Sequence, residues 1–294
     1  MKKLLTIIIC AIFLVSCGNK SDEVAKKNYA YEATMSNMSS ENSLGKVKET
    51  LKKYLKEEDV NQFVSLVDDY NKTIENTSLH GDFQPVINPE YDFEKIDSLW
   101  TSKKGEFIGT NCRINTFVLL KDSIGSKNIP YDNEDLAFDK SSLDHSEILN
   151  ESEKENFYSL FSKIKTEKTK DYKVHGEKMA EHLSNFNLKV NDNISMVSVV
   201  IHDDLDYDSL FIGHVGVLAK EDDHYLWIEK LSFQEPYQAI KFATKEDCFK
   251  YLYNKYKDYK SETTSNPFIM ENDKLIELDE YKNQIKFEHK NTTV

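Results

Sequence analysis

Three residues of this chain have the types and local settings that nucleophilic chemistry requires. Cys112 lies in Gly109-Thr110-Asn111-Cys112-Arg113, directly before the apolar run Ile114, Phe117, Val118, Leu119 and Leu120. Asn111 is a favoured N-cap residue, so this run predicts a helix over about 111–121 with Cys112 in its first turn. There the helix dipole and the backbone N–H groups favour negative charge, which lowers a thiol from its free pKa of about 8.5 toward the reactive thiolate. The same N–H groups suit an oxyanion, with Asn111 as a candidate additional donor. His214 opens the strand-like Gly213-His214-Val215-Gly216-Val217-Leu218, where it is a candidate general base. Glu229 lies in the partner segment Tyr225-Leu226-Trp227-Ile228-Glu229-Lys230-Leu231 and is the candidate orienting carboxylate.

The last assignment turns on register. Glu221-Asp222-Asp223-His224 is the turn between the two strands. A loop of two or four residues sets His214 opposite Leu231, and period-two alternation then puts Glu229 on the face of His214. An odd-length loop puts it on the other face. The shared face also carries Tyr225, Trp227, Leu231 and Phe233, so a carboxylate there needs a partner, and a His ring nitrogen supplies one. Gln234 and Tyr237 follow in Phe233-Gln234-Glu235-Pro236-Tyr237-Gln238 and are candidates for oxyanion or substrate binding. Each residue also has a structural reading. Cys112 can be an inert core thiol or half of a Cys112–Cys248 disulfide, since an exported protein permits one. His214 can be a satisfied strand-end imidazole and Glu229 a sheet-edge acid held by a lysine or solvent. Gln234 and Tyr237 can serve the loop backbone alone.

The elements that must position these groups are legible in outline. Leu44, Val47, Leu51 and Leu55, then Phe63, Val64, Val67 and Tyr70, repeat at helical spacing and predict an N-terminal helical pair. Gly81, Pro85, Asn88 and Pro89 mark a loop, and 91–100 reads as a short helix. A polar stretch from 122 to about 144 reads as a loop or lid, followed by helical patterns at 146–166 and 171–185. Strand patterns then fill 194–202, 211–220, 225–233 and 239–243. A helix over about 245–259 begins at Thr244 with Asp247 three residues on, a variant of the capping box. A last strand pair falls within 268–278. Helices first and an antiparallel meander later make the class α+β.

Composition narrows the function. The net charge is −13, and loss of Lys2 and Lys3 with an N-terminal signal makes it −15. So acidic a chain lacks the basic footprint that nucleic acid demands. Arginine is nearly absent, and Arg113 stands out. His202-Asp203-Asp204-Leu205-Asp206-Tyr207-Asp208 reads as a solvated acidic loop, because it has neither the turn glycine nor the closing Glu of an EF-hand. No zinc-type Cys/His spacing and no Gly-rich phosphate loop occurs, so no metal or organic cofactor is expected.

Lys2 and Lys3 precede an apolar stretch from Leu4 to Val15 that is too short to span a bilayer, and Leu14-Val15-Ser16-Cys17 follows. This resembles a bacterial lipoprotein signal. The resemblance implies a signal peptide over 1–16 and lipidation at Cys17; the Ser/Asn/Lys/Glu-rich stretch after it reads as a flexible tether over 17–42, leaving an α+β domain over 43–294. The protein would be lipid-anchored to the cell membrane on its extracytoplasmic side. The pieces Gly-Thr-Asn-Cys-Arg, Gly-His-Val-Gly-Val-Leu and Glu-Lys-Leu-Ser-Phe-Gln-Glu-Pro-Tyr-Gln resemble a family of bacterial lipoproteins designated domain of unknown function 4300. The arrangement is also similar to the papain-like group that includes the NlpC/P60 cell-wall peptidases. That resemblance implies a core in which the Cys112 helix packs on an antiparallel sheet, with extra N-terminal helices and a helical insertion at about 122–190. It implies Cys112 as nucleophile, His214 as base and Glu229 as the orienting third member. The resulting expectation is a thiol hydrolase or acyltransferase acting on an envelope amide, such as a peptidoglycan peptide. The alternative is a non-catalytic extracellular binding lipoprotein on a papain-like scaffold.

Overall fold

The apolar segments after residue 190 pair with their neighbours in sequence and form the centre of the molecule. They are β3 (Ile194–Asp203), β4 (Ser209–Glu221), β5 (His224–Lys230) and β6 (Tyr237–Phe242), joined antiparallel in that order. β1 (Ala33–Ser36) pairs with the outer edge of β6, while β7 (Phe268–Glu271) and β8 (Lys274–Leu275) extend the sheet beyond β3. A short β2 (Ile164–Lys165) pairs with the start of β4. The computed structural model describes residues 33–86, 88–125, 129–131, 134–279 and 281.

Eight α-helices surround this sheet among the described residues. They are α1 (Glu41–Lys52), α2 (Glu57–Thr73), α3 (Phe93–Lys104), α4 (Cys112–Leu120), α5 (Ala137–Ser146), α6 (Glu151–Phe161), α7 (Tyr172–Ser184) and α8 (Lys245–Tyr256). The chain is thus mixed α and β with an antiparallel sheet. β3 is buried along nearly all of its length rather than at alternate positions, because helices cover both faces of the central strands. No helix among the described residues is long and apolar enough to cross a membrane.

α4 is the most deeply set helix. All of its residues except Arg113 are buried, and it packs against β4, β5, α2 and α6. Burying a side chain such as Phe117 or Leu120 contributes about 1.5–3 kcal/mol, so this helix is anchored by its body while its N-terminus meets the sheet. α8 begins at a complete Thr244–Asp247 capping box and lies over the face of β5 and β6 that carries Glu229.

Two expectations are corrected here. The stretch read as a tether to residue 42 gives way to β1 at Ala33, and α1 starts at Glu41. Met35 and Met38 are fully buried, so two flexible apolar side chains anchor a segment that is otherwise polar. The stretch read as a loop or lid to residue 144 contains α5, which buries Asp139, Ser142 and Leu143. The region 122–190 therefore holds α5, α6 and α7. Cys17 and the signal-like residues lie outside the described residues.

Candidate active site

Asn111 caps α4 with its side-chain oxygen on the Ile114 N–H at 3.0 Å, which places Cys112 at the first helical position. The first N–H groups of a helix have no partner within it, so those of Cys112 and Arg113 face the helix mouth. Gly109 sets the approach. Its φ is +89°, and a side chain there would bring a Cβ within 2.6 Å of the Phe233 carbonyl oxygen. The Asn111 amide nitrogen donates to Asp139 at 2.7 Å, and Arg113 clamps the same carboxylate at 3.0 and 2.6 Å. Arg113 also donates to the Ile212 carbonyl at 3.3 Å, tying the start of α4 to β4 just before His214.

His214 owes its place to an irregularity. The β3–β4 ladder pairs Val199 with His214 but Val200 with Ile212, leaving Gly213 as the extra residue of a bulge. Bulges bend a strand and re-aim the adjacent side chain. The β4–β5 hairpin closes through Asp222 and Asp223 alone, with Glu221 paired to His224 and Val217 to Ile228. Continued along the strands, this register sets His214 level with Leu231 and Glu229 level with Gly216, as the two-residue loop requires. Gly216 leaves the space that Trp227 fills, since a Cβ there would lie 2.6 Å from the indole ring.

The result is a buried chain of three ionisable groups. His214 Nε2 meets Glu229 Oε2 at 2.5 Å, and the Cys112 thiol lies close enough to the imidazole for each to shift the other's ionisation. With Nε2 committed to Glu229, Nδ1 is the nitrogen left for the thiol. Tyr256 of α8 stacks on the imidazole at 5.0 Å and 23°. The second oxygen of Glu229 accepts from the Tyr251 hydroxyl at 3.0 Å and from Lys255 at 3.3 Å. Glu229 thus has three polar partners in a site where an unpaired carboxylate would be costly.

Burial opposes every charge in this chain, and mutual attraction overcomes it. The Cys112 thiol is held below its ordinary pKa: burial resists, but the His214 charge and hydrogen bond outweigh it, with Arg113 adding to them. His214 is likewise resisted by burial, yet Cys112 and Glu229 carry it up to about 9. Glu229, despite its burial, falls to about 2 under the influence of Lys255, His214 and Tyr251. His214 is thus held as imidazolium and Glu229 as carboxylate at neutral pH, and both favour the thiolate form of Cys112 through the charge on the ring.

A cleft of about 450 Å³ opens beside His214. Tyr91, Phe93, Tyr251, Tyr256 and Tyr259 supply its walls, and Glu235, Gln238 and Lys255 its charged and amide groups. Cys112 is 6% exposed and is not part of the cleft wall.

The other candidate residues are placed differently. Asn111 spends its side chain on the helix cap and on Asp139, so neither end is turned to the cleft. Tyr237 is buried, with its hydroxyl donating to Asn115 at 2.9 Å and lying 3.3 Å from Thr110. The backbone carbonyl of Gln234 accepts from the Tyr70 hydroxyl at 2.6 Å, and Glu235 and Gln238 line the cleft instead. Cys112 and Cys248 are both free thiols, so no disulfide joins them. Sequence reasoning missed Asp139, Tyr251 and Lys255. Tyr251 and Lys255 stand four residues apart on α8, a spacing that shares one helix face and was the available signal.

Lys230, next to Glu229, points the other way and is fully buried. Its side-chain nitrogen meets the carbonyls of Phe233 (3.3 Å) and Glu235 and lies 3.7 Å from the Tyr70 ring centre and 4.8 Å from that of Tyr237. Burial pushes its amine well below the usual lysine range. It fastens the loop that carries Glu235 into the cleft. Among the described residues no group of three or more His, Cys, Asp or Glu side chains is placed to hold a metal ion. In comparisons with known proteins, no curated protein and no solved structure matches this chain. Residues 34–276 do match one family, and the chain belongs to it: the family described as Domain of unknown function (DUF4300).

Proposed function

We propose that this domain is a thiol-dependent acyl hydrolase or acyltransferase with a papain-like core, in which Cys112, His214 and Glu229 do the chemistry. The observation that carries the reading is the buried Glu229–His214 hydrogen bond set beside a thiol at a helix N-terminus whose pKa it lowers. The Cys112 thiolate attacks the carbonyl carbon of an amide, and the developing oxyanion meets the N–H groups at the start of α4. The His214 imidazolium gives its proton to the departing amine as the C–N bond breaks, leaving a thioester. Water, giving a proton to His214, then attacks the thioester, and the carboxylic acid leaves as the thiol re-forms. Glu229 fixes the ring and stabilises its charge. The N-terminal signal and Cys17 support a lipid-anchored protein outside the cell membrane, where peptidoglycan peptides and other envelope amides are the substrates within reach.

The test is to incubate the domain lacking residues 1–32 with soluble peptidoglycan peptides and follow amide cleavage by mass spectrometry. Cleavage is expected with the wild type and absent with Cys112→Ala. If iodoacetamide modifies Cys112 only with the pH profile of an ordinary thiol, and no amide is cut, the hydrolase reading fails. A second reading, an extracellular binding protein, draws support from the position of Cys112 outside the cleft wall. It predicts that these peptides bind equally well to wild type and Cys112→Ala and emerge intact.

A further inference from the structure

The polar groups left open in the cleft beside His214 define the chemistry of what it takes. Gln238 is 2% exposed, and its amide nitrogen donates to the Tyr91 hydroxyl at 2.8 Å. Its Oε1 is buried and has no hydrogen-bond partner. A buried acceptor left unpaired is costly, so an occupant with an N–H or O–H to give is favoured there. Glu235, on the loop fastened by Lys230, brings a carboxylate to the same cleft, and no salt bridge engages it among the described residues. Lys255 does not neutralise that carboxylate, because its ammonium is already held by Glu229 and by the Tyr251 hydroxyl at 3.0 Å.

The remaining walls are aromatic. Tyr91 and Phe93 meet edge to face at 5.8 Å, and Tyr256 and Tyr259 tilt together at 5.5 Å. Phe93 is 48% and Tyr259 60% exposed, although large rings are ordinarily buried. Aromatic faces attract cations, most strongly where water is excluded. An open carboxylate, an orphaned amide oxygen and facing rings together select a positively charged N–H donor. Apolar groups alone would leave Gln238 unsatisfied, and an anion would be repelled by Glu235.

We propose that this cleft binds a protonated primary amine, with an ammonium N–H donated to Gln238 Oε1 and its charge facing Glu235 among the rings of Tyr91, Phe93, Tyr256 and Tyr259. Resting on the reading that Cys112 is the nucleophile behind this cleft, the inference makes the substrate an amide that carries a free ammonium group a few bonds from the scissile carbonyl. Glu235 and Gln238 are then specificity-determining residues.

The experiment is an NMR or calorimetric titration of the Cys112→Ala domain with three probes that share one four-carbon side-chain stem: N-acetyl-lysinamide, N-acetyl-norleucinamide and N-acetyl-trimethyllysinamide. The lysine probe is expected to bind about tenfold or more tightly than the norleucine probe, and Glu235→Gln to remove most of that difference. The trimethylated probe keeps the charge but has no N–H for Gln238, so it is expected to fall between the two. Equal binding of the lysine and norleucine probes, no binding of any probe at millimolar concentration, or indifference to Glu235→Gln overturns the proposal. Tighter binding of the trimethylated probe than of the lysine probe overturns the primary-amine assignment. Glu235 is partly exposed, so its replacement does not threaten folding. Because Cys112→Ala cannot turn over, these results are independent of the hydrolase reading, which fails separately if the wild type cleaves nothing.

Discussion

Cys112 and Cys248 are the same residue type, both buried, both free and both in the opening turns of helices, yet they are driven in opposite directions. Cys112 is held below the ordinary thiol range by the His214 cation, against the resistance of burial. Cys248 is pushed well above it by burial first and by the charges of Glu229 and Glu271 next. Helix position is therefore not what separates a thiol with a lowered pKa from one with a raised pKa here. The sign of the nearest charge is, and that sign is set by which strand faces which helix. Cys248 lies near the carboxylates Glu229 and Glu271, whereas Cys112 lies beside an imidazole that Glu229 helps to keep charged.

The sharpest way to break this contrast is to exchange each thiol in turn. Cys112→Ala is expected to abolish amide cleavage, a loss of at least about 1,000-fold, with the fold kept. Cys248→Ala is expected to leave the rate within about threefold and to lower unfolding stability by about 1 kcal/mol, measured by urea denaturation. If Cys248→Ala abolishes cleavage and Cys112→Ala does not, the assignment is reversed.

Next in size is Glu229→Gln, which keeps the shape but removes the charge that supports the imidazolium. A fall in turnover of about 10²–10⁴-fold is expected, with the Cys112 alkylation profile moving toward higher pH. An unchanged profile would mean that the thiolate owes nothing to Glu229.

The pH dependence sharpens the comparison further. The imidazolium of His214 contributes stability that is fully present below the unfolded histidine value of about 6.5 and is lost as pH rises through about 9. Glu229 contributes stability present above the unfolded glutamate value of about 4.3 and lost as pH falls through about 2. Turnover is therefore expected to rise as Cys112 ionises, at a pH below the ordinary thiol range, and to fall near pH 9 as His214 loses its proton. Iodoacetamide is expected to label Cys112 across neutral pH while Cys248 stays unlabelled in the native protein. A rate that rises steadily through pH 9 would contradict the ion pair.

The smallest effect is expected at the support of the helix start. Arg113→Lys keeps a charge for Asp139 but loses the two-pronged contact, so stability is expected to drop by about 1–2 kcal/mol with a modest loss of rate. Thermal denaturation together with turnover separates the two. A rate loss much larger than the stability loss would give Arg113 a direct part in holding the Cys112 charge.

The juxtaposition of Cys112, His214 and Glu229 was legible in the sequence because each residue obeyed a local rule. Asn111 announced the helix start, and the parity of the Asp222-Asp223 loop placed Glu229 on the face of His214. The Gly213 bulge did not spoil that parity, because it lies on the other side of His214, in the ladder with β3. What escaped was set by distant partners. β1 pairs with β6 some 200 residues away and is too short to show periodicity. α5 has a sequence poor in apolar residues and is held by Asp139, whose value appears only when Arg113 and Asn111 arrive. Tyr251 and Lys255 take on a role only because α8 lies across Glu229.

Lys230 gives the fold a gauge of its own opening. Its amine is sealed between two tyrosine rings and two carbonyls, with 1% of its surface exposed. An amine-acylating reagent added to the native protein will reach the exposed lysines within minutes, but Lys230 only when β5 and its loop come apart. Its labelling rate, read by peptide mass, then reports the fraction of molecules in which the strand holding Glu229 has opened.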